Sequence, residues 1–230
     1  MSRSAVGTSC GLINKRVADL AAALDGIKSG STVLLGGFGA VGQPDELIDA
    51  LLEQGATDLT VVANNAGTGT RGLAGLIAAG RVRKIICSYP RSDDPRAFDA
   101  AYKAGRIELE LTPQGTLSER MRCAAAGLGA FYSPVGVGTK LGHGKELREI
   151  DGKRYVLEKP LKGDVALLKA LRADRWGNLT YRKSARNFNP VMAMAAELSI
   201  VQVKETVELG AIDPECVHTP GIFIDRIVVV

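Results

Sequence analysis

Between residues 32 and 126 the chain alternates a short apolar run, a turn or loop, and apolar residues at helical spacing. Thr32 to Leu35 runs into Gly36 and Gly37, and beyond Pro44 the residues Leu47, Ile48, Leu51 and Leu52 fall on one helical face. Pro44 followed by Asp45 and Glu46 is a helix start, with φ already set and carboxylates beside the positive end of the helix dipole. The alternation continues with strands at Leu59 to Ala63, Lys84 to Cys87 and Ile107 to Leu111, and with helices at Leu73 to Ala79, Pro95 to Lys103 and Leu117 to Ala126. Before the first strand, Val17, Leu20, Ala21 and Leu24 predict one more helix. Strands joined through helices are parallel, with right-handed crossovers. The fold class that follows is α/β, with a mostly parallel, doubly wound sheet.

After residue 126 the alternation breaks. Glycines at 127, 129, 136, 138, 142 and 144 mark a loop-rich stretch, and Asp151-Gly152 between Leu147 to Ile150 and Tyr155 to Leu157 predicts a hairpin insertion closed by a type I′ turn. Further strands are expected at Val165 to Ala170, Leu179 to Tyr181, Leu198 to Lys204 and Ile222 to Val230, with a short helix at Met192 to Glu197. There is no linker, composition shift or internal repeat, so residues 1–230 are expected to form one domain, with 1–11 flexible.

Composition narrows the function classes. Twenty-nine Lys and Arg against 25 Asp and Glu leave a net charge of +4, scattered along the chain, so no nucleic-acid footprint stands out. No run of eighteen apolar residues or secretory h-region is present, which argues against a membrane. The cysteines, Cys10, Cys87, Cys123 and Cys216, are too far apart for zinc or redox spacings, so free thiols in a cytoplasmic setting are expected and no metal site is predicted.

Gly37 to Gly42 spells G-F-G-A-V-G after a strand, as dinucleotide sites do. The string recurs at Gly67 to Gly72, the next strand ends in Asn64-Asn65 instead of a ribose-binding acid, and Pro44 starts the helix beyond the last glycine. The residues therefore speak for a glycine turn at a strand's carboxyl end, where backbone N–H groups meet an anion or oxyanion. Asn64, Asn65 and Gly67 end the next strand on the same edge, as donors to a ligand or as turn formers. Gln114 stands in a fixed turn between Pro113 and Gly115 and is the side chain there aimed at a ligand, while Thr116 and Glu119 read as a capping box. Cys87 reads as small buried filler, and Glu119, Glu146, Glu149 and Glu158 as solvated carboxylates. Arg182 to Asn187 is the densest basic segment, a solvated loop, a subunit contact or a meeting point for anions. Trp176 is expected to anchor a buried turn.

Val33-Leu34-Leu35, Gly36-Gly37-Phe38, Gly42 and Pro44 together resemble the signature of the family I coenzyme A transferases, and the likeness continues through Asn64-Asn65-Ala66-Gly67, Pro113-Gln114-Gly115, Gly144-Lys145-Glu146, Ala185-Arg186-Asn187-Phe188 and His218-Thr219-Pro220-Gly221. It covers nearly the whole chain from about Leu12, with Ser29-Gly30 where the signature usually has Asp or Asn before glycine. The resemblance is to the A-type subunit, through Cys87-Ser88-Tyr89-Pro90 and Asp174-Arg175-Trp176-Gly177-Asn178 nearest to members acting on 3-oxoadipate, with acetoacetate as the alternative acceptor.

That resemblance implies ping-pong transfer of CoA from succinyl-CoA to a 3-oxo acid, with the CoA thioester as substrate and no tightly bound cofactor. The nucleophile it implies is a glutamate in a Ser-Glu-Asn-Gly segment of a B subunit; this chain has no such string. A B partner in an α2β2 heterotetramer is therefore implied. Gln114 would face the reacting carboxylate or thioester, Gly36, Gly37, Phe38, Gly39, Ala40, Val41 and Gly42 would line the CoA or acyl side, and Asn64, Asn65 and Gly67 would shape the same pocket. A non-catalytic acyl-CoA or sugar-phosphate binding module on a related sheet is the reading from a different class.

Overall fold

The computed structural model describes residues 13–230, so the expected flexibility of 1–11 and the thiol of Cys10 lie outside the described residues. The first half runs α1 (Leu20–Leu24), β1 (Thr32–Leu35), α2 (Asp45–Gln54), β2 (Leu59–Asn65), α3 (Gly72–Ala78), β3 (Val82–Tyr89), α4 (Arg96–Lys103), β4 (Glu108–Leu111) and α5 (Gln114–Ala125). There follow β5 (Phe131–Ser133), β6 (Leu147–Ile150), β7 (Lys153–Glu158), β8 (Gly163–Ala173), β9 (Leu179–Thr180), α6 (Asn189–Ala195), β10 (Ala196–Thr206) and β11 (Arg226–Val229).

The main sheet has the order β11-β10-β8-β1-β2-β3-β4, parallel throughout, with β9 turned back antiparallel on the end of β8. Alternate side chains of each strand enter two separate cores. Val33, Leu35, Leu59 and Val61 pack under α1 to α4, whereas Leu34, Val62, Ile86 and Leu168 pack under α5 and α6. This two-sided burial is why the strands read as continuous apolar runs. Each leucine so enclosed contributes roughly 1.5–3 kcal/mol relative to exposure.

β5, β7 and β6 form a small antiparallel sheet. Its hairpin turns at Asp151 and Gly152 with φ of 49° and 72°, the left-handed pair that a type I′ turn requires.

Four expectations are corrected. The N-terminal helix is limited to Leu20–Leu24, because Asp19 caps it by accepting from the Ala22 N–H at 2.8 Å and Val17 instead donates its N–H to Ile227 O. The last strand starts at Arg226; Gly221–Phe223 is a 3-10 turn, where Gly221 lies so close to Trp176 that a Cβ would sit 2.4 Å from its carbonyl oxygen. Trp176 is 43% exposed, and the buried anchor of its turn is Asp174, whose carboxylate accepts from the N–H groups of Trp176 and Asn178 and from Asn178 Nδ2. Glu158 is buried rather than solvated, paired with Lys145 Nζ at 2.5 Å.

Candidate functional site

The site is built on the carboxyl edge of the parallel sheet. β1 ends at Leu35, and Gly36 to Gly42 turn tightly: the Phe38 N–H donates to Val41 O at 2.9 Å and the Val41 N–H returns to Phe38 O at 3.1 Å. Gly39 and Ala40 are the tip of this two-residue turn, and Phe38 and Val41 are left 46% and 48% exposed. Gly42, at φ +76°, lies where a Cβ would meet Ala185 O at 2.7 Å, so neither its conformation nor its surroundings admit a side chain.

Asn189, which carries no signal in the sequence, holds this loop. Its fully buried side chain accepts from the Lys169 N–H at 3.0 Å and donates Nδ2 to Gly42 O at 3.1 Å and Ala185 O at 2.9 Å. The amide occupies the space beside Gly36, where a Cβ would fall 2.0 Å from Asn189 Oδ1. Asn187 adds a second tie, donating Nδ2 to Val41 O at 2.9 Å.

β2 delivers the amide pair. Asn64 is buried; its Oδ1 and its backbone oxygen both accept from Ser88 Oγ, at 2.9 and 3.0 Å. That fixes the carboxamide oxygen and leaves its NH2 group without a partner among the described residues, free to donate. Asn65 makes an Asx turn instead, accepting from the Gly67 N–H at 3.0 Å. Gly67, at φ +79°, abuts α3, where a Cβ would lie 2.5 Å from the Ala74 nitrogen.

Gly36, Gly37, Gly39, Asn64 and Asn65 line one cleft, with Gln43 beside them and no carboxylate among the lining residues. Its volume of about 10 Å³ is room for one water at most, so it is a seam of amide and backbone groups and not a substrate-sized pocket. Val41 and Gly42 face away from it, toward the ends of β8 and β10. Gln114 is the first residue of α5 and is exposed. It stands on the same edge but three strands from β1, roughly 14 Å at the usual strand spacing, and does not line the seam.

The capping box is not formed. The helix begins at Gln114, placing Thr116 inside its first turn with a buried hydroxyl that has no partner among the described residues, and Glu119 pairs with Arg122 at 2.6 Å. Cys87, two residues before the end of β3, is fully buried, and burial pushes its thiol up to about 12. A thiol of that kind is scarcely ionised near neutral pH and is not a nucleophile. Iodoacetamide treatment at pH 8 should leave Cys87 unmodified by peptide mass mapping while the exposed Cys216 reacts, and Cys87→Ser should retain activity. Early labelling of Cys87 would restore the thiol to the site. No cluster of metal-binding side chains occurs among the described residues.

Residues 17–230 match the family model described as Coenzyme A transferase. The chain is 58% identical over 219 residues to the A-type half of the 3-oxoadipate CoA-transferase of Pseudomonas putida, covering 95% of both chains. It is 54% identical over 215 residues to the A-type half of the succinyl-CoA:3-ketoacid coenzyme A transferase of Xanthomonas campestris, covering 93% of this chain and 88% of that one. A mitochondrial succinyl-CoA:3-ketoacid coenzyme A transferase of Rattus norvegicus is 41% identical, across 96% of this chain but only 45% of its own length. Among solved structures, glutaconate coenzyme A-transferase from Acidaminococcus fermentans superposes with a TM-score of 0.81 at 23% identity, over 94% of this chain and 75% of that one. An acyl-CoA transferase from Escherichia coli gives 0.84 at 23% identity, over 94% and 47%. At that identity the last two speak for the fold alone.

Proposed function

The chain belongs to the coenzyme A transferase family, and from that premise we propose that it is the A-type half of a 3-oxoacid CoA-transferase that moves CoA from succinyl-CoA to 3-oxoadipate. The observation that carries this reading is a seam of backbone and amide groups at the sheet's carboxyl edge, lined by no carboxylate, in a chain that matches the A-type half of a 3-oxoadipate CoA-transferase over 95% of both lengths. Such a seam stabilises a developing oxyanion but attacks nothing.

The nucleophile then comes from a partner. In the mechanism that the resemblance implies, a glutamate carboxylate attacks the thioester carbonyl of succinyl-CoA, expelling the CoA thiolate and forming a mixed anhydride. The thiolate attacks the glutamyl carbonyl, releasing succinate and leaving a glutamyl thioester. The carboxylate of the 3-oxo acid displaces CoA as a second anhydride, and attack by the thiolate on its acyl carbon releases the new acyl-CoA and the free glutamate. Each step splits one hard exchange into easier ones and passes through a tetrahedral oxyanion. Asn64 Nδ2 and the glycine-loop backbone are the groups this chain offers to that charge at the seam, while Gln114, three strands away on the same edge, would meet the reacting carboxylate or thioester from the far side of the crevice that the B subunit closes.

Exposed apolar side chains along this edge support a partner. Phe38, Val41, Tyr89 and Leu111, at the ends of β1, β3 and β4, are each more than 40% exposed. Covering them would also exclude water from the anhydride. The rat relative, of which this chain matches 45%, is consistent with an enzyme that needs a second half. The full reading is one A-type domain over 1–230, assembled as α2β2 with a glutamate-bearing B subunit in the cytoplasm, with CoA thioesters as substrates and no bound cofactor. No described helix is long and apolar enough to cross a membrane.

The test is succinyl-CoA consumption with 3-oxoadipate, and acetoacetate in parallel, using the chain alone and then assembled with its B subunit. Silence alone and transfer by the pair, faster with 3-oxoadipate, is the expected result. Preference for acetoacetate changes the acceptor and keeps the mechanism. A well-assembled pair that transfers nothing points to the non-catalytic binding module.

A further inference from the structure

A second concave surface lies across the glycine loop from the seam. β1 and β8 are neighbours in the sheet, yet the chain leaves them toward opposite faces, from β1 into α2 on one side and from β8 through β9 to α6 on the other. An open α/β sheet forms its binding crevice at such a switch point, outside the carboxyl ends of the strands. Here the crevice is a cavity of about 370 Å³ with Val41, Gly42, Ala170 and Leu171 in its wall.

Its rim is cationic. Lys169 on β8, Lys204 on β10, and Arg182 and Lys183 in the turn after β9 all line it, and no carboxylate does. Elsewhere on these strands and at their start cations are paired, Arg172 with Glu205 across the ladder at 2.5 Å and Lys162, just before β8, with Glu197 at 2.7 Å. Arg182, Lys183 and Lys204 have no ion pair among the described residues, and Lys169 reaches only Glu46, at 3.9 Å. Like charges gathered around one concavity repel, and an anion placed among them relieves that repulsion.

The rim is also held in a fixed relation to the seam. Asn187 and Asn189 tie the 182–187 turn to Val41 and Gly42 by the hydrogen bonds already described, and Lys183 takes φ +51°, a left-handed conformation that a lysine adopts only when its surroundings impose it. β8 and β2 flank β1, so cavity and seam are about 10 Å apart at strand spacing. A substrate reacting at the seam can thus extend its charged end into the cavity.

We infer that this crevice is an anchoring subsite for an oxyanion group that the substrate carries away from its reacting carbonyl, with Arg182, Lys183 and Lys204 as its direct partners. This rests on the transferase reading and names what that site uses to hold its charged substrates. Two sources share the chemistry: the distal carboxylate of a dicarboxylic acid and the phosphates of CoA.

The test is calorimetric and independent of turnover. The enzyme assembled with its B subunit is titrated with adipate and, separately, with adenosine 3′,5′-bisphosphate, first as wild type and then as Arg182→Gln/Lys204→Gln. The expected result is a loss of affinity of about tenfold or more for one probe, restored in the charge-conserving Arg182→Lys/Lys204→Arg variant. Loss confined to adipate assigns the carboxylate; loss confined to the bisphosphate assigns CoA. Binding of both probes within twofold of wild type, or no binding of either by the wild type, overturns the inference. Failure of the transferase reading shows separately, as an assembled wild-type pair that consumes no succinyl-CoA.

Discussion

Gln114→Ala is expected to lower the CoA-transfer rate of the assembled enzyme by about two to three orders of magnitude, the loss typical of removing one donor to a tetrahedral oxyanion. The same substitution should leave the fold alone. Gln114 is exposed at the first position of α5, and alanine is at least as good a helix former there. A surface change of this kind lies within about 0.5 kcal/mol of neutral. Melting temperature and assembly with the B subunit should therefore match wild type while turnover falls, which separates a chemical role from a structural one. Steady-state rates with succinyl-CoA and 3-oxoadipate, beside a thermal melt of the same preparation, decide it. A rate within twofold of wild type would remove Gln114 from the site and leave the seam between β1 and β2 to act without it.

What sequence can reveal about this site depends on the range of the interaction. Thr32 to Leu35 is legible as β1 to the residue because a strand buried on both faces reads as an apolar run, here Val33, Leu34 and Leu35 behind a half-buried, β-branched Thr32. The strands β8 and β10 are longer than their apolar stretches, since their ends pair with each other and with β9 while polar side chains face outward. The glycine loop and the Asn65 turn are legible because their chemistry is local, set by φ and by a side chain two residues from its partner. Asn189 is not, because its bonds reach Gly42 across 147 positions and nothing beside it marks it out from a turn former before Pro190. Glu158 is within reach: the period of two along β7 puts it on the buried face with Val156, and Lys145 compensates it from a loop that the pattern does not place. Trp176 misleads for a steric reason, since Gly177 and Gly221 bring the backbones together inside and leave the indole to solvent.

The complementarity of Gly36 and Asn189 gives the second large effect, and its sign depends on background. In the wild-type chain, Gly36→Ala would place a methyl group 2.0 Å from Asn189 Oδ1 and 2.7 Å from its Cγ. Asn189 is fully buried and tied to three backbone groups, so it cannot yield without leaving Gly42 O, Ala185 O or the Lys169 N–H unpaired. Each such orphaned group costs about 1–3 kcal/mol, so a total of roughly 3 kcal/mol or more is expected, together with loss of transfer as the glycine loop moves. Asn189→Ala alone forfeits the same hydrogen bonds and should be comparably harmful. In the Asn189→Ala background, however, the space beside Gly36 is empty, and Gly36→Ala should add almost nothing, because the two single changes damage one contact. Thermal melts of the four assembled enzymes measure the coupling directly. Additive losses in the double variant would mean that Gly36 is required for a reason other than the amide packed against it; a double variant no less stable than Asn189→Ala would identify that amide as the group which sets the loop, and with it the position of the backbone donors in the seam.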